Sequence, residues 1–122
     1  MGKYVVKKSE NGASFNLVAR NGEVIGVSEF YSSEDACLNG IESVRKNAIE
    51  AGIEDQTVAE FEVLKHPKFE IFKDKREEFR FRLKARNGEI ILASEGYTAK
   101  ASCKNGIDSV VRNADSPVVY KE

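Results

Sequence analysis

Ser28-Glu29 with Tyr31 and Ser94-Glu95 with Tyr97 repeat one small constellation 66 residues apart. Two carboxylates held face to face can share proton-transfer work, one as acid and one as base. Glu29 and Glu95 are therefore the catalytic candidates of this chain. The competing use is local. Where a strand turns into a helix, a hydroxyl or carboxylate can satisfy backbone amides, and a duplicated residue then serves the duplicated fold. The local use is the expectation, and the acid–base pair ranks behind it.

A second candidate is electrostatic. Arg80, Arg82, Lys84 and Arg86 alternate with Phe79, Phe81, Leu83 and Ala85. A strand with this pattern shows four cations on one face over roughly 20 Å. That face would meet RNA, single-stranded nucleic acid or another polyanion. Four phosphate contacts would lose about a hundredfold in affinity between roughly 50 and 200 mM salt, which is weak binding. The phenylalanines should point to the core, leaving bases little to stack on. Cross-strand acids such as Glu70 and Glu89 would neutralise the stripe, and a plain solvated face is the leading expectation.

Other chemistry has little to stand on. The single histidine, His66, sits beside Pro67 without a duplicated counterpart, so a nucleophile–histidine site is not expected. Cys37 and Cys103 fall on the apolar stripes of two helices and read as small core residues. Two cysteines and one distant histidine do not make a zinc site, and neither a P-loop nor a GxGxxG pattern occurs. No metal and no cofactor are expected. Gly40 and Gly106 lie within the helical stretches, in stripes of short side chains: Ala36, Gly40, Ser43 and Asn47, echoed by Ser102, Gly106, Ser109 and Asn113. Such stripes permit close backbone approach, here to the sheet or to the other helix.

The elements that carry these residues follow from an internal repeat. Residues 19–48 and 85–114 match without a gap at 17 of 30 positions. In each copy an alternating segment opens, Tyr4 to Lys8 or Phe69 to Lys73, and a turn follows at Asn11-Gly12 or at Asp74 to Glu78. The second alternating segment runs from Ser14 to Arg20, or from Phe79 to Arg86. Asn21-Gly22 and Asn87-Gly88 then read as type I′ hairpin turns, leading to a third strand, Glu23 to Glu29 or Glu89 to Glu95. A helix begins after Ser32 or Thr98, each a suitable N-cap. Its apolar face is Cys37, Ile41, Val44 and Ala48, or Cys103, Ile107, Val110 and Ala114. A short tail of strand character closes each copy, around Ile53 and around Val118-Val119.

These assignments divide the chain into a first copy with its tail (1–57), a joining segment (58–68) and a second copy with its tail (69–122), sharing one compact core. Within the joining segment Ala59, Phe61 and Val63 alternate with Glu60, Glu62 and Leu64, the pattern of an extra strand over 58–64. The stretches FEIFKDK, EFRFRLKARNGEII, SEGY, KASCKNGI and SVVRNA, with FNLVARNGEVI and SVRKNA in the first copy, resemble the repeat of the YegP family of uncharacterised bacterial proteins. The resemblance implies βββα repeats paired about a pseudo-twofold axis, and it implies no activity or cofactor. The expected fold is α+β, an antiparallel sheet with both helices packed on one face.

Charge narrows the function further. The net charge of -1 lacks the basic excess of a protein built to grip phosphate backbones. Residues 1–68 carry 8 basic against 11 acidic side chains, and residues 69–122 carry 11 against 9, an opposition that would assist self-association. The N-terminal stretch has no signal-peptide pattern and no segment reaches membrane-spanning length, so a cytoplasmic location without membrane contact is expected. A small non-enzymatic binding or structural interaction protein is the leading functional expectation. A weak nucleic-acid binder comes second and a paired-carboxylate enzyme third; no particular partner is indicated.

Overall fold

The computed structural model describes residues 2–121. Strand β1 (Lys3–Ser9) turns Tyr4 and Val6 into the core and leaves Lys3 and Lys7 in solvent. It returns through Glu10 and Asn11 as β2 (Gly12–Val18), with Ser9 opposite Gly12. Strand β3 (Val24–Val27), helix α1 (Glu34–Ala48) and strand β4 (Gly52–Asp55) complete the first copy. The second copy repeats the order as β5 (Lys68–Lys73), β6 (Phe79–Lys84), β7 (Ile90–Ala93), α2 (Lys100–Asn113) and β8 (Val118–Tyr120).

The Asn-Gly turns differ from the expected type. Gly22 and Gly88 adopt φ of 89° and 86°, while Asn21 and Asn87 keep negative φ. Gly22 N–H donates to the Ala19 carbonyl (2.9 Å) and Ala19 N–H to the Glu23 carbonyl (2.8 Å), with the same pair of bonds at Ala85, Gly88 and Glu89. This is a type I turn closed by a left-handed glycine, with a shift of register beside it. Asparagine is useful for its side chain here: Oδ1 of Asn21 and of Asn87 each accepts the amide two residues on, at 3.0 Å.

All eight strands form one sheet, in the order β4-β5-β6-β7-β3-β2-β1-β8. The sheet is mixed rather than antiparallel. β4 pairs in parallel with β5, and β8 in parallel with β1. Each tail strand thus joins the first strand of the other copy, entering after a helix that has carried the chain back to the starting end of the sheet. Alternation in the sequence reports which face a residue takes and is silent on strand direction.

Helix α1 contacts β1, β2, β5, β6 and β7, and α2 contacts β3 and β6. Phe15, Leu17, Ile41 and Val44 share one buried cluster with their counterparts Phe81, Leu83, Ile107 and Val110. Tyr4 meets Phe15 edge-on at 5.7 Å, and Phe69 meets Phe81 likewise at 6.0 Å. The intrahelical glycines are explained by tyrosines. A Cβ on Gly40 would lie 2.4 Å from the Tyr31 hydroxyl oxygen, and one on Gly106 the same distance from that of Tyr97. The close approach is made by a side chain from the preceding loop, not by sheet backbone or by the other helix.

The joining segment forms no strand over 58–64; it runs as turns and irregular backbone, with Glu60 at φ 57°. Its apolar residues have no buried face to fill, since Val58, Phe61 and Val63 are all exposed. The segment folds back over the sheet, where Leu64 N–H donates to Glu54 Oε1 at 2.8 Å.

The helix caps fall one residue later than expected. Ser33 Oγ accepts the Ala36 amide at 3.1 Å, whereas α2 starts after Ala99, which supplies no side-chain cap. Replacing a capping hydroxyl by alanine costs about 1 kcal/mol. Ala99→Ser should therefore stabilise the protein by about that amount, read as a higher urea midpoint at unchanged slope. An unchanged midpoint would mean that the first α2 amides are already satisfied by another group.

Candidate functional site

One register crosses the whole sheet: Val119, Val5, Asn16, Val27, Ala93, Arg82, Glu70 and Glu54 stand side by side. Its first-copy half is mostly aliphatic, its second-copy half charged, and the basic strand lies in the charged half. Each of the four cations already has an acid. Arg80 Nε lies 2.6 Å from Asp74 Oδ2, Arg82 Nε 2.6 Å from Glu70 Oε1, Lys84 Nζ 3.3 Å from the same oxygen, and Arg86 2.6 Å from Glu50. Glu70 neutralises the stripe from the neighbouring strand, whereas Glu89 forms no ion pair with it among the described residues. Phe72 faces the stripe too, but the Arg82 guanidinium covers its ring at 4.4 Å.

Beneath the joining segment lies an ion network that the sequence analysis passed over. Lys68 Nζ contacts Glu54 Oε1 at 2.7 Å and Glu70 Oε2 at 3.4 Å, and the three side chains are 1–6% exposed. Burial would push the Glu54 carboxyl up. The Lys68 ammonium, the Gln56 amide and the Leu64 N–H outweigh that and hold it at about 2. Its neighbour Asp55 is likewise held at about 2, burial being outweighed by Lys100 and Thr57. Every charge here is matched, so the network reads as structural. The signal was available in Lys68-Phe69-Glu70-Ile71, where charged residues alternate with core residues in a strand buried on both faces.

Glu29 and Glu95 are both exposed in the strand-to-helix connections. Neither lines either of the cavities described below. The local role falls to the serines. Ser28 Oγ accepts the Phe15 amide (2.8 Å) and donates to the Glu29 carbonyl (2.7 Å); Ser94 Oγ does the same for Phe81 (2.9 Å) and Glu95 (2.8 Å). Tyr31 and Tyr97 stack on Phe15 and Phe81. His66 is exposed and lies against the Gly88 turn. Cys37 and Cys103 are buried free thiols, and burial raises the latter to about 11, which leaves it a poor nucleophile.

A concavity lies elsewhere. The Ala19–Asn21 turn of the first copy and the C-terminal half of α2 flank an open, shallow depression of about 660 Å³ lined by Ala19, Arg20, Asn21, Ser109, Arg112 and Asn113. A smaller one of about 170 Å³ shares Ala19, Asn21 and Ser109 and extends towards Glu23, Asn105 and Tyr97. Together they form a groove between the copies whose lining residues are mostly polar or charged. The stripe Ser102, Gly106, Ser109 and Asn113, noted for its small size, supplies the α2 wall.

The corresponding place between the Ala85–Asn87 turn and α1 is bridged by the Arg86–Glu50 ion pair. Sixty-six positions after Glu50 stands Ser116, which occupies the same point after its helix: Glu50 N–H bonds the Asn47 carbonyl and Ser116 N–H the Asn113 carbonyl. Ser116 is buried and its carbonyl accepts from Arg45 at 2.6 Å. Arg20, the counterpart of Arg86, consequently has no carboxylate partner among the described residues. Groups from different copies, some ninety residues apart, build this groove, so no linear motif announced it.

The domain of unknown function DUF1508 matches twice, over residues 9–55 and 74–120. The chain belongs to this family. Among its relatives, the UPF0339 protein YegP of Yersinia pestis is 37% identical over 120 residues, covering 98% of this chain and 94% of that one. A UPF0339 protein of Treponema denticola is 58% identical over 54 residues, which span 44% of this chain and 93% of the relative. That relative is therefore about one repeat long. The fold is shared with the solution structure of yegP from E. coli, a protein of unknown function, at TM-score 0.78 and 32% identity over 98% of this chain and 92% of that one. The UPF0339 protein SO3888 of Shewanella oneidensis also gives TM-score 0.78, at 34% identity over 98% and 90% of the two chains. The chain is α+β, an eight-stranded mixed sheet with two helices, and it shares that fold with these two solved structures. Among the described residues no helix is long and apolar enough to cross a membrane, and no group of three or more His, Cys, Asp or Glu side chains is placed to hold a metal ion.

Proposed function

We propose that this family member is a small non-enzymatic binding protein of the cytoplasm, and that its ligand occupies the groove between the Arg20 turn and α2. The observation that carries the reading is the asymmetry between the two equivalent places. One is bridged by Arg86 and Glu50, and the other is open, with Arg20 unpaired among the described residues. The two βββα copies are related by a pseudo-twofold axis through the Val27–Ala93 pair. Support comes from the register, since these two residues are counterparts at the offset of 66 and pair with each other. Two unpaired cysteines favour a reducing compartment.

The nucleic-acid reading falls behind because the stripe cations are engaged by acids of the same chain. The paired-carboxylate enzyme stays third, with Glu29 and Glu95 both exposed and outside the groove. The test is a ¹H–¹⁵N NMR screen of the full chain against polar fragments and, separately, single-stranded RNA at low salt. Fragment shifts should cluster at Asn21, Gly22, Ser109 and Asn113. Shifts confined to β6 with RNA, and none in the groove with fragments, would reverse the order of the first two readings.

A further inference from the structure

We infer that the groove takes an oxyanion, a carboxylate or phosphate group, gripped by the guanidinium groups of Arg20 and Arg112; this rests on the groove being the binding site. The side-chain acceptors of the larger cavity's wall are largely spent, whereas the smaller cavity keeps the Glu23 carboxylate and the Asn105 side chain. Asn21 Oδ1 holds the Glu23 amide at 3.0 Å, and Asn113 Oδ1 holds the Gly2 amide at 3.2 Å. Ser109 Oγ and its carbonyl both accept from Asn113 Nδ2, at 3.3 and 2.8 Å.

The donors are not spent. Arg20 makes no side-chain hydrogen bond or ion pair among the described residues. Arg112 commits one nitrogen to Asp108, at 2.5 Å, and its remaining N–H groups are uncommitted. The Asn21 amide nitrogen, the Ser109 hydroxyl proton and, deeper in, the Tyr97 hydroxyl add further donors. The larger cavity's wall, rich in donors and poor in free side-chain acceptors, selects a ligand rich in acceptors. Two guanidinium groups give it the planar forks that suit carboxylate and phosphate.

Three negative features oppose an anion: Asp108 offsets part of Arg112, Glu23 lines the smaller cavity beside Asn21, and the C-terminal end of α2 carries a partial negative charge. Among the described residues Arg20 is the groove's one cation without an ion pair, so the anion should seat on its side, in the larger cavity. The Arg86–Glu50 pair shows the same arrangement satisfied within the chain. There a carboxylate lies 2.6 Å from the counterpart arginine.

The experiment titrates the ¹⁵N-labelled full chain with inorganic phosphate, acetate and neutral acetamide at constant ionic strength, using wild type, Arg20→Gln and Arg86→Gln. Arg20 is exposed, so its replacement should leave the fold intact, checked by the unchanged remainder of the spectrum. Saturable shifts at Asn21, Gly22, Ser109 and Asn113 are expected with at least one anion. Loss of one charge-assisted contact should weaken that binding about tenfold or more in Arg20→Gln and leave it unchanged in Arg86→Gln. Response to phosphate alone or acetate alone assigns the ligand's anionic group. Anion shifts that never saturate, or that persist in Arg20→Gln, overturn the inference. Acetamide binding in the groove without either anion overturns the oxyanion and keeps the groove; silence from all three probes removes both.

Discussion

Lys68→Met should cost the protein about 3–5 kcal/mol, the range for removing one partner of a buried ion pair. Among the described residues the ammonium is the only cation touching Glu54, whose side chain is 1% exposed. Without it Glu54 keeps only the Gln56 amide and the Leu64 N–H, while Glu70 retains Arg82 and Lys84. The pH dependence identifies the cause. In the native protein Glu54 sits at about 2, below its ordinary value, so its stabilisation is complete above that value and fades as pH falls towards 2. In Lys68→Met burial wins and the same carboxyl titrates above its ordinary value, so the penalty grows as pH rises. Urea midpoints of the two proteins should converge in acid and separate at neutral pH, and Glu54→Gln added to Lys68→Met should recover most of the loss. A deficit independent of pH would show that lost packing, not a stranded charge, is responsible.

A second large effect is expected where the copies meet. Gly26 and Leu92 are counterparts at the offset of 66, and a Cβ on Gly26 would lie 2.6 Å from Leu92 Cγ. The fully buried leucine fills the space that its small counterpart leaves. Leu92→Ala should cost about 2–5 kcal/mol, because nothing on Gly26 can collapse into the cavity. Gly26→Leu should overpack the same space by about 1–3 kcal/mol or more. Combining Gly26→Leu with Leu92→Gly exchanges the two sizes and should recover much of both losses, a coupling measurable in a double-mutant cycle. Additive losses would mean that the positions do not share one space.

The reason this pair escaped the sequence is general to the molecule. Identity between the copies revealed what each does alone: the strands, the glycine turns, the apolar faces of α1 and α2, the paired serines. Contacts between copies depend on the positions that differ. Glycine against leucine at 26 and 92, and glutamate against serine at 50 and 116, carry the packing where the copies meet and the open groove. Single residues could also be noticed without their contact. Tyr31 and Gly40 each stood out in the sequence, yet only the chain path brings the hydroxyl onto the helix. The basic strand was legible as a pattern of charge, and Glu70 was foreseen as its counterion. Asp74 and Glu50 were not, because one comes from a turn and the other from the far copy.

The exchanged tail strands also bear on the order in which the chain can fold as it is synthesised. β1 pairs with β8 through Tyr4 and Val118, and the Tyr4 hydroxyl donates to the Ala114 carbonyl at 2.7 Å. A nascent first copy therefore has an open edge on β1 and a buried-to-be hydroxyl with no acceptor. Its own tail, β4, has yet to receive β5. The β4 edge is met 16 residues on by β5, but the β1 edge and the Tyr4 hydroxyl wait for partners more than a hundred residues away, so the last contacts to form are among the most distant in sequence. N-terminal domains commonly fold while the remainder is being made. Here the first half keeps an open β1 edge until β8 has been delivered, and that edge of the sheet is the late one to close.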